Sequence, residues 1–145
     1  EEAMRIFQKL NPVLQTNRNI ERYVAEPYVL PGNIDGRDSE YCGRAGWSWY
    51  TGSAGWLLTI AFETIVGLKA TLDGLEIDPC IPSTWKGFEV VRQFRNASYH
   101  IFISNPDKKH GGIEEFYLNG KKIKGNVIPV QSSGVHKVKA TLTGK

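Results

Sequence analysis

The stretch FEVVRQFRNASYHIFIS, residues 88–104, decides the fold of the second half of the chain. Apolar and polar residues alternate in its two arms, residues 88–94 and 98–104, and both arms are rich in β-branched and aromatic side chains. This pattern is typical of strands with one buried face. The intervening residues 95–97 fit a hairpin connection, so we predict an antiparallel pair of strands here.

A second hairpin follows further along the chain. Residues 113–118 and 121–124 flank Asn119-Gly120, and Asn-Gly tolerates the two positive φ angles of a type I′ turn. Further short strands are predicted at residues 75–79, 127–130 and 135–142. Several short antiparallel strands with regular turns favour a β-sandwich.

The first half of the chain has a helical pattern. Residues 1–10 place their apolar side chains on one face, and Asn11-Pro12 should end that helix. We expect residues 13–50 to be irregular and to line a pocket, because a structureless stretch of that length is rare unless it is functional. A second helix is predicted over residues 53–66, ended by Gly67. Its apolar residues cover nearly every face, so we expect it to be buried on all sides by a larger helical body.

Composition and charge exclude several classes of protein. Of the 145 residues, 41% are hydrophobic and 23% charged, which is typical of a soluble globular chain. The longest apolar run is too short and too polar to span a bilayer. The net charge is +3, and the eight lysines after residue 106 fit a solvated strand face better than a nucleic-acid site. Cys42 and Cys80 could form one disulfide, but two reduced, buried thiols in a cytosolic protein are favoured.

The stretch WSWYTGSAGW, residues 47–56, carries the strongest candidate for chemistry. Thr51, Gly52 and Ser53 would begin the second helix, where free N–H groups and the helix dipole favour an anion. The alternative is an ordinary N-cap, in which a hydroxyl binds its own backbone. The surrounding aromatic rings suit the C–H faces of sugars, and they suit a core equally well. The sequence shows no convincing catalytic residue and no metal-ligand spacing.

Several segments together resemble one family. They are residues 26–29 (EPYV), 43–56 (GRAGWSWYTGSAGW), 72–82 (LDGLEIDPCIP), 88–99, 104–106 (SNP) and 117–121 (YLNGK). The chain resembles the C-terminal part of glycoside hydrolase family 94, the cellobiose, chitobiose and related β-glycoside phosphorylases. The resemblance covers nearly the whole chain.

The resemblance implies a fold and a set of binding residues. Residues 1–70 would be the last helices of an (α/α)6 catalytic barrel, and residues 71–145 an antiparallel, jelly-roll-like C-terminal β-sandwich. Inorganic phosphate would be held at Thr51, Gly52 and Ser53. The sugar would lie near Gly32, Arg44 and Trp49. Gly32 stands where cellobiose-type members carry a Gln, which argues against cellobiose as the substrate.

The implied activity is inverting phosphorolysis of a β-linked disaccharide or oligosaccharide, giving an α-sugar 1-phosphate and a shortened acceptor. The general-acid Asp of the family lies upstream of this region, so we expect no catalytic residue in this chain and no activity from it alone. Phosphate is a co-substrate, and no other cofactor or metal is expected. The family also implies a cytoplasmic homodimer that contains the rest of the parent enzyme and involves no nucleic acid or membrane.

Two alternatives stay open. One is a relative that processes β-1,2-glucans, to which the Trp-Ser-Trp-Tyr sequence is similar. The other is a non-catalytic β-sandwich that binds carbohydrate or forms an interface. A carbohydrate-binding sandwich predicts an exposed aromatic platform on a strand face, at Phe94 or Tyr99.

Overall fold

The computed structural model describes residues 1–48 and 51–144, and for Thr51 it describes the backbone alone. These residues form an α+β structure with two compact units. One is Glu2–Ile60, and the other is Ala61–Lys145 together with Glu1. The domain boundary expected between residues 70 and 71 stays a prediction.

Three short helices open the unit Glu2–Ile60, namely α1 (Glu2–Leu10), α2 (Pro12–Arg18) and α3 (Ile20–Tyr23). Helix α1 confirms the first predicted helix, whereas the prediction that the chain is irregular from residue 13 was wrong. The Asn11 side chain accepts the N–H of Leu14 at 3.2 Å, and Asn19 accepts that of Arg22 at 2.9 Å. Each asparagine therefore starts a new helix by capping it, at the point where the preceding helix ends.

A short hairpin organises residues 32–47. Strands β1 (Asn33–Ile34) and β2 (Ala45–Gly46) pair in antiparallel fashion, with Asn33 opposite Gly46 and Ile34 opposite Ala45. Beyond the ladder, the Asp35 N–H donates to the Arg44 carbonyl at 2.9 Å. The segment that was expected to be irregular therefore contains a short antiparallel hairpin.

Helix α4 (Thr51–Thr59) continues into a π-helix, Ile60–Ile65. The N–H of Val66 donates to the Ala61 carbonyl at 2.9 Å, an i→i−5 bond that marks the wider helix. The predicted end at Gly67 is confirmed, since Gly67 has φ +73°. The larger helical body that was expected to bury this helix stays a prediction, because the described residues leave much of the helix exposed. Its large exposed apolar side chains are Trp56, Leu58, Ile60 and Phe62.

The unit Ala61–Lys145 is built from strands. They are β3 (Leu68–Ala70), β4 (Gly74–Ile77), β5 (Gly87–Phe94), β6 (Ala97–Ser104), β7 (Ile113–Leu118), β8 (Lys121–Lys122), β9 (Val127–Pro129) and β10 (Gly134–Leu142). One sheet has the order β5-β6-β10-β7-β8, and the other has the order β3-β4-β9. The predicted strands are confirmed, β3 was missed, and the pair β6–β10 is parallel rather than antiparallel.

Both sheets bury alternate residues. Leu75, Ile77 and Ile128 of the three-stranded sheet are fully buried, as are Ile101 and Val138 of the five-stranded sheet. Two sheets that each bury one face are compatible with the predicted β-sandwich.

The hairpin turn between β7 and β8 has the predicted geometry. Asn119 has φ +51° and Gly120 has φ +80°, the two positive angles of a type I′ turn. The Asn119 carboxamide oxygen also accepts the Lys137 N–H at 2.9 Å, which ties the turn to β10.

Cys42 and Cys80 are both free, as predicted, but neither is buried as expected, since Cys42 is half-buried and Cys80 is exposed. Within the described ranges, no helix has the length and apolar character needed to cross a bilayer.

Candidate functional site

The first described turn of α4 contains the three residues predicted to bind phosphate. Backbone N–H groups in the first turn of a helix have no partner within the helix, and the dipole makes this end positive. Gly52 and Ser53 are exposed, and a methyl group added at Gly52 would meet nothing within 4 Å. The backbone of this turn is therefore open to an anion. The structure describes only the backbone of Thr51, so the role of its hydroxyl stays a prediction.

Gly32 lies at the end of the β1–β2 hairpin from which the chain proceeds toward α4. Its N–H donates to the Trp47 carbonyl at 2.7 Å and is also 3.1 Å from the carbonyl oxygen of Gly46. These hydrogen bonds hold Gly32 beside Trp47, the first residue of the segment 47–56. Trp49, the third predicted sugar-binding residue, lies outside the described residues.

Arg44 lies at the opposite end of the same two-pair ladder. Its guanidinium carbon is 5.2 Å from the centre of the Tyr41 ring, a cation–π geometry. With Arg22, Glu21 and Glu40, these residues line an open cleft of about 490 Å³. Guanidinium groups are planar, forked donors that suit phosphate, carboxylate or vicinal hydroxyl groups. Arg44 thus lines a cleft, and its role in sugar binding stays a prediction. The two residue pairs of the β1–β2 ladder separate it from Gly32.

Arg22 is a residue that sequence reasoning missed. Its Nε donates to the Cys42 carbonyl at 2.5 Å, and its Nη2 lies 3.2 Å from the Cys42 sulfur. The guanidinium covers Gly43, where an added methyl group would lie 2.6 Å from Nε and where φ is +89°. Arg22 and Cys42 are 20 positions apart in the sequence, so no local pattern could have predicted the contact. Arg22 holds the returning arm of the hairpin loop against α3.

Tyr23, the residue after Arg22, is buried. Its hydroxyl has no hydrogen-bond partner among the described residues. Burial raises the pKa of the phenol, because the charged form would lose its hydration. Tyr23 therefore stays neutral and serves as an anchor for α3.

The Ile-Asp-Pro-Cys-Ile-Pro motif, residues 77–82, has a structural role. The Asp78 N–H donates to the Gly67 carbonyl at 2.8 Å, and the Cys80 N–H donates to the Ile65 carbonyl at 3.0 Å. These two bonds satisfy carbonyl groups at the helix end that have no partner within the helix. The motif thus closes the end of the helix whose beginning is the candidate anion site.

The aromatic platform expected for a carbohydrate-binding sandwich is not at the predicted residues. Phe94 and Tyr99 are both buried in the sheet unit, and the Tyr99 hydroxyl accepts the Gln131 N–H at 3.3 Å. The alternation of β6 points Tyr99 inward and the neighbouring Phe102 partly outward. The Lys137 ammonium lies 5.0 Å from the Phe102 ring centre, so this ring already has a cationic partner.

His, Cys, Asp and Glu side chains in the described part of the chain nowhere gather in groups of three that could hold a metal ion. The expectation that this chain has no catalytic residue stays a prediction. The candidate site is formed by the start of α4 and the hairpin that precedes it.

Comparison with known proteins places these features in one family. Residues 1–67 match the model of the glycosyl hydrolase 94 superfamily, catalytic domain. Over 92% of its length, the chain is 45% identical to an N,N'-diacetylchitobiose phosphorylase of Vibrio proteolyticus and 28% identical to a solabiose phosphorylase of Paenibacillus borealis. Over 74% of its length, it is 40% identical to a cyclic beta-(1,2)-glucan synthase of Rhizobium meliloti (strain 1021).

The chain spans a small part of these relatives, 16% of the chitobiose phosphorylase, 17% of the solabiose phosphorylase and 4% of the glucan synthase. The match of the catalytic-domain model includes the β1–β2 hairpin, α4 and the π-helix, and it ends at Gly67. The candidate site lies wholly within it. This chain belongs to glycoside hydrolase family 94.

Proposed function

We propose that this chain is part of an inverting β-glycoside phosphorylase. The enzyme would cleave a β-linked disaccharide or oligosaccharide with inorganic phosphate, giving an α-sugar 1-phosphate and a shortened acceptor. The observation that carries the proposal is the open first turn of α4 at Thr51, Gly52 and Ser53, within the segment that matches the family's catalytic domain. Relatives named as disaccharide phosphorylases support the same reaction class.

Phosphate would bind at the beginning of α4. The N–H groups of the first turn would donate to its oxygens, and the absence of a side chain at Gly52 lets the anion approach the backbone. The hydroxyl groups of Thr51 and Ser53 would add donors. Phosphate is already an anion at neutral pH, so positioning is what it requires of the protein.

The chemical step would be a single displacement. A phosphate oxygen attacks the anomeric carbon, the glycosidic C–O bond breaks, and a carboxylic acid protonates the departing oxygen. Attack from the face opposite the leaving group inverts the configuration, from β in the substrate to α in the product. The general acid would come from the remainder of the parent enzyme.

Helix α4 and the π-helix would pack inside a larger helical body. Supporting this, Trp56 is 72% exposed in the chain described here, and Leu58 and Ile60 are exposed beside it. We propose that residues 1–70 are the last helices of an (α/α)6 barrel and that residues 71–145 form the C-terminal sandwich. The cytoplasmic location and the homodimer expected from the family remain predictions.

The sugar would be held by Gly32, Arg44 and Trp49. Gly32 leaves space where cellobiose-type members carry a Gln, so a larger or differently linked sugar is favoured over cellobiose. The 45% identity to a chitobiose phosphorylase makes N,N'-diacetylchitobiose the first substrate to test.

The test uses the full-length parent enzyme. We would incubate it with chitobiose, cellobiose, laminaribiose and sophorose, with and without phosphate, and assay sugar 1-phosphate. Phosphate-dependent product with α configuration is expected from at least one disaccharide, and the 145-residue chain alone should give none. Release of free sugar that is independent of phosphate, or a β-configured product, would contradict the proposal.

A further inference from the structure

We propose that Trp47 binds the saccharide, by stacking its indole ring on a sugar ring next to the anion site at the start of α4. This inference rests on the proposed phosphorylase function and goes beyond it, because it assigns a sugar contact to a residue outside the predicted set of Gly32, Arg44 and Trp49. Four observations support it.

The first observation is exposure. The Trp47 side chain is 77% exposed, although a tryptophan is one of the largest apolar side chains. Trp56 is similarly exposed, but it lies on α4 among further exposed apolar side chains, with Leu58 on the same helix and Ile60 on the π-helix that continues it. Trp47 lies on no helix, so its exposed ring is not part of that group of helical side chains.

The second observation is the backbone conformation. Trp47 has φ +52°, in the left-handed region that bulky residues avoid. Other non-glycine residues with positive φ in the described ranges lie at a helix end or in turns and loops, namely Val24, Arg95, Lys108 and Asn119. Arg95 and Asn119 also follow a strand directly, but they lie in two-residue hairpin turns, whereas Trp47 follows strand β2 and is not part of an assigned turn. Conformational strain of this kind persists where the surroundings fix it, and it concentrates at ligand sites.

The third observation is how the conformation is held. The Gly32 N–H donates to the Trp47 carbonyl at 2.7 Å, and the adjacent Gly46 is paired with Asn33. A methyl group at Gly46 would lie 2.8 Å from the Asn33 side-chain oxygen, so the two strands approach closely at this point. The hairpin therefore fixes the backbone of Trp47 while the ring itself stays free.

The fourth observation is reach. Trp47 and Thr51 are four positions apart in the sequence, so their Cα atoms are at most about 14 Å apart, given about 3.6 Å per residue. This limit is comparable to the length of a disaccharide. A sugar whose anomeric carbon faces an anion at α4 can therefore extend over the indole. The ring would offer an apolar face to the sugar C–H groups, and its N–H can donate to a hydroxyl.

Trp47→Gly separates a binding role from a structural one. Glycine relieves the positive φ and removes the ring, so a binding residue should lose affinity without losing stability. In the full-length enzyme we expect the KM for the disaccharide to rise about tenfold, as for loss of one well-stacked ring, while the KM for phosphate changes less than about twofold. The melting temperature should stay equal or rise.

Two further variants serve as controls. Trp47→Phe keeps a stacking face and should recover most of the sugar affinity. Trp85→Phe makes the same change at an exposed tryptophan in the other compact unit and should leave both KM values unchanged. Direct saccharide binding, followed by quenching of tryptophan fluorescence without phosphate, should weaken in Trp47→Gly by the same factor.

The outcomes separate this inference from the proposed function. A Trp47→Gly enzyme that melts earlier but keeps its KM for the disaccharide would overturn the binding role and leave phosphorolysis standing. Saccharide binding that depends on Trp47, in a parent enzyme that forms no sugar 1-phosphate, would support the sugar contact and contradict the phosphorylase. A parent enzyme that binds no saccharide at all would overturn both.

Discussion

The two compact units of the chain differ in how they use their apolar residues. In the unit Ala61–Lys145, alternate residues of two sheets close a core that includes Leu75, Tyr99 and Phe116. In the unit Glu2–Ile60, large apolar side chains such as Trp47 and Trp56 lie exposed. The sheet unit contains nearly all of the buried apolar residues, although Leu72 and Val135 are exposed there too. The helical unit buries few of its apolar side chains, and the candidate site lies in it.

This difference predicts that substitutions in the two units impair different properties of the protein. Substitutions in the sheet unit should act through stability, because its residues contact one another. Substitutions around the hairpin and the start of α4 should act through binding, because these residues are open. The following variants test that division, in order of decreasing effect on the free energy of unfolding.

Gly67→Ala should have the largest effect. An added methyl group would lie 2.2 Å from the Asp78 carbonyl, and φ is +73°. Steric overlap with backbone and a strained φ should together cost about 4 kcal/mol, measured by thermal or urea unfolding. Gly36→Ala is the matched control, because a methyl group there meets nothing within 4 Å. Equal melting temperatures for the two variants would show that the helix end does not depend on this junction.

Asn105→Ala should be next. The buried Asn105 amide donates to the carbonyl oxygens of Trp85 at 2.9 Å and Lys109 at 2.8 Å, and its oxygen accepts the Lys109 N–H at 2.7 Å. Removing the side chain leaves these groups without partners, so we expect a loss of about 3 kcal/mol. Asn17→Ala, at an exposed position of α2, should be neutral or slightly stabilising. A loss below about 1 kcal/mol for Asn105→Ala would mean that water replaces the amide.

Tyr23→Phe should have a small effect of the opposite sign. The buried hydroxyl has no partner in the described structure, so removing it relieves an unsatisfied polar group and should stabilise the protein by up to about 1 kcal/mol. Tyr28→Phe, at an exposed ring, is the control. Destabilisation by Tyr23→Phe alone would show that the hydroxyl binds a partner in the parent enzyme.

The strands were predictable from sequence because their apolar and polar residues alternate, and the apolar ones are buried within the same unit. The Asn119-Gly120 turn was predictable for a similar reason, since its two φ angles require those residue types. The parallel pairing of β6 and β10 was not, because a strand pattern shows which face is buried and does not show which neighbour lies beside it.

The helical unit was less predictable. Asn11 was interpreted only as the end of a helix, and Asn19 lay in a segment expected to be irregular, although each caps the following helix. The same residue types end one helix and begin another. The start of α4 was located within two residues. The positive φ of Trp47 and the contact between Arg22 and Cys42 depend on hydrogen bonds between distant parts of the chain, which no local pattern shows.

The central claim is that the first turn of α4 binds phosphate, and Thr51→Val in the full-length enzyme tests it most directly. The matched control is Thr59→Val, which removes a hydroxyl from the same helix where that hydroxyl donates to the Gly55 carbonyl at 3.0 Å. We predict that kcat/KM for phosphate falls about 100-fold or more in Thr51→Val and stays near that of the parent enzyme in Thr59→Val, with similar melting temperatures. A Thr51→Val enzyme that loses about 1 kcal/mol of stability, as for a helix cap, and keeps its kcat/KM for phosphate would contradict the account.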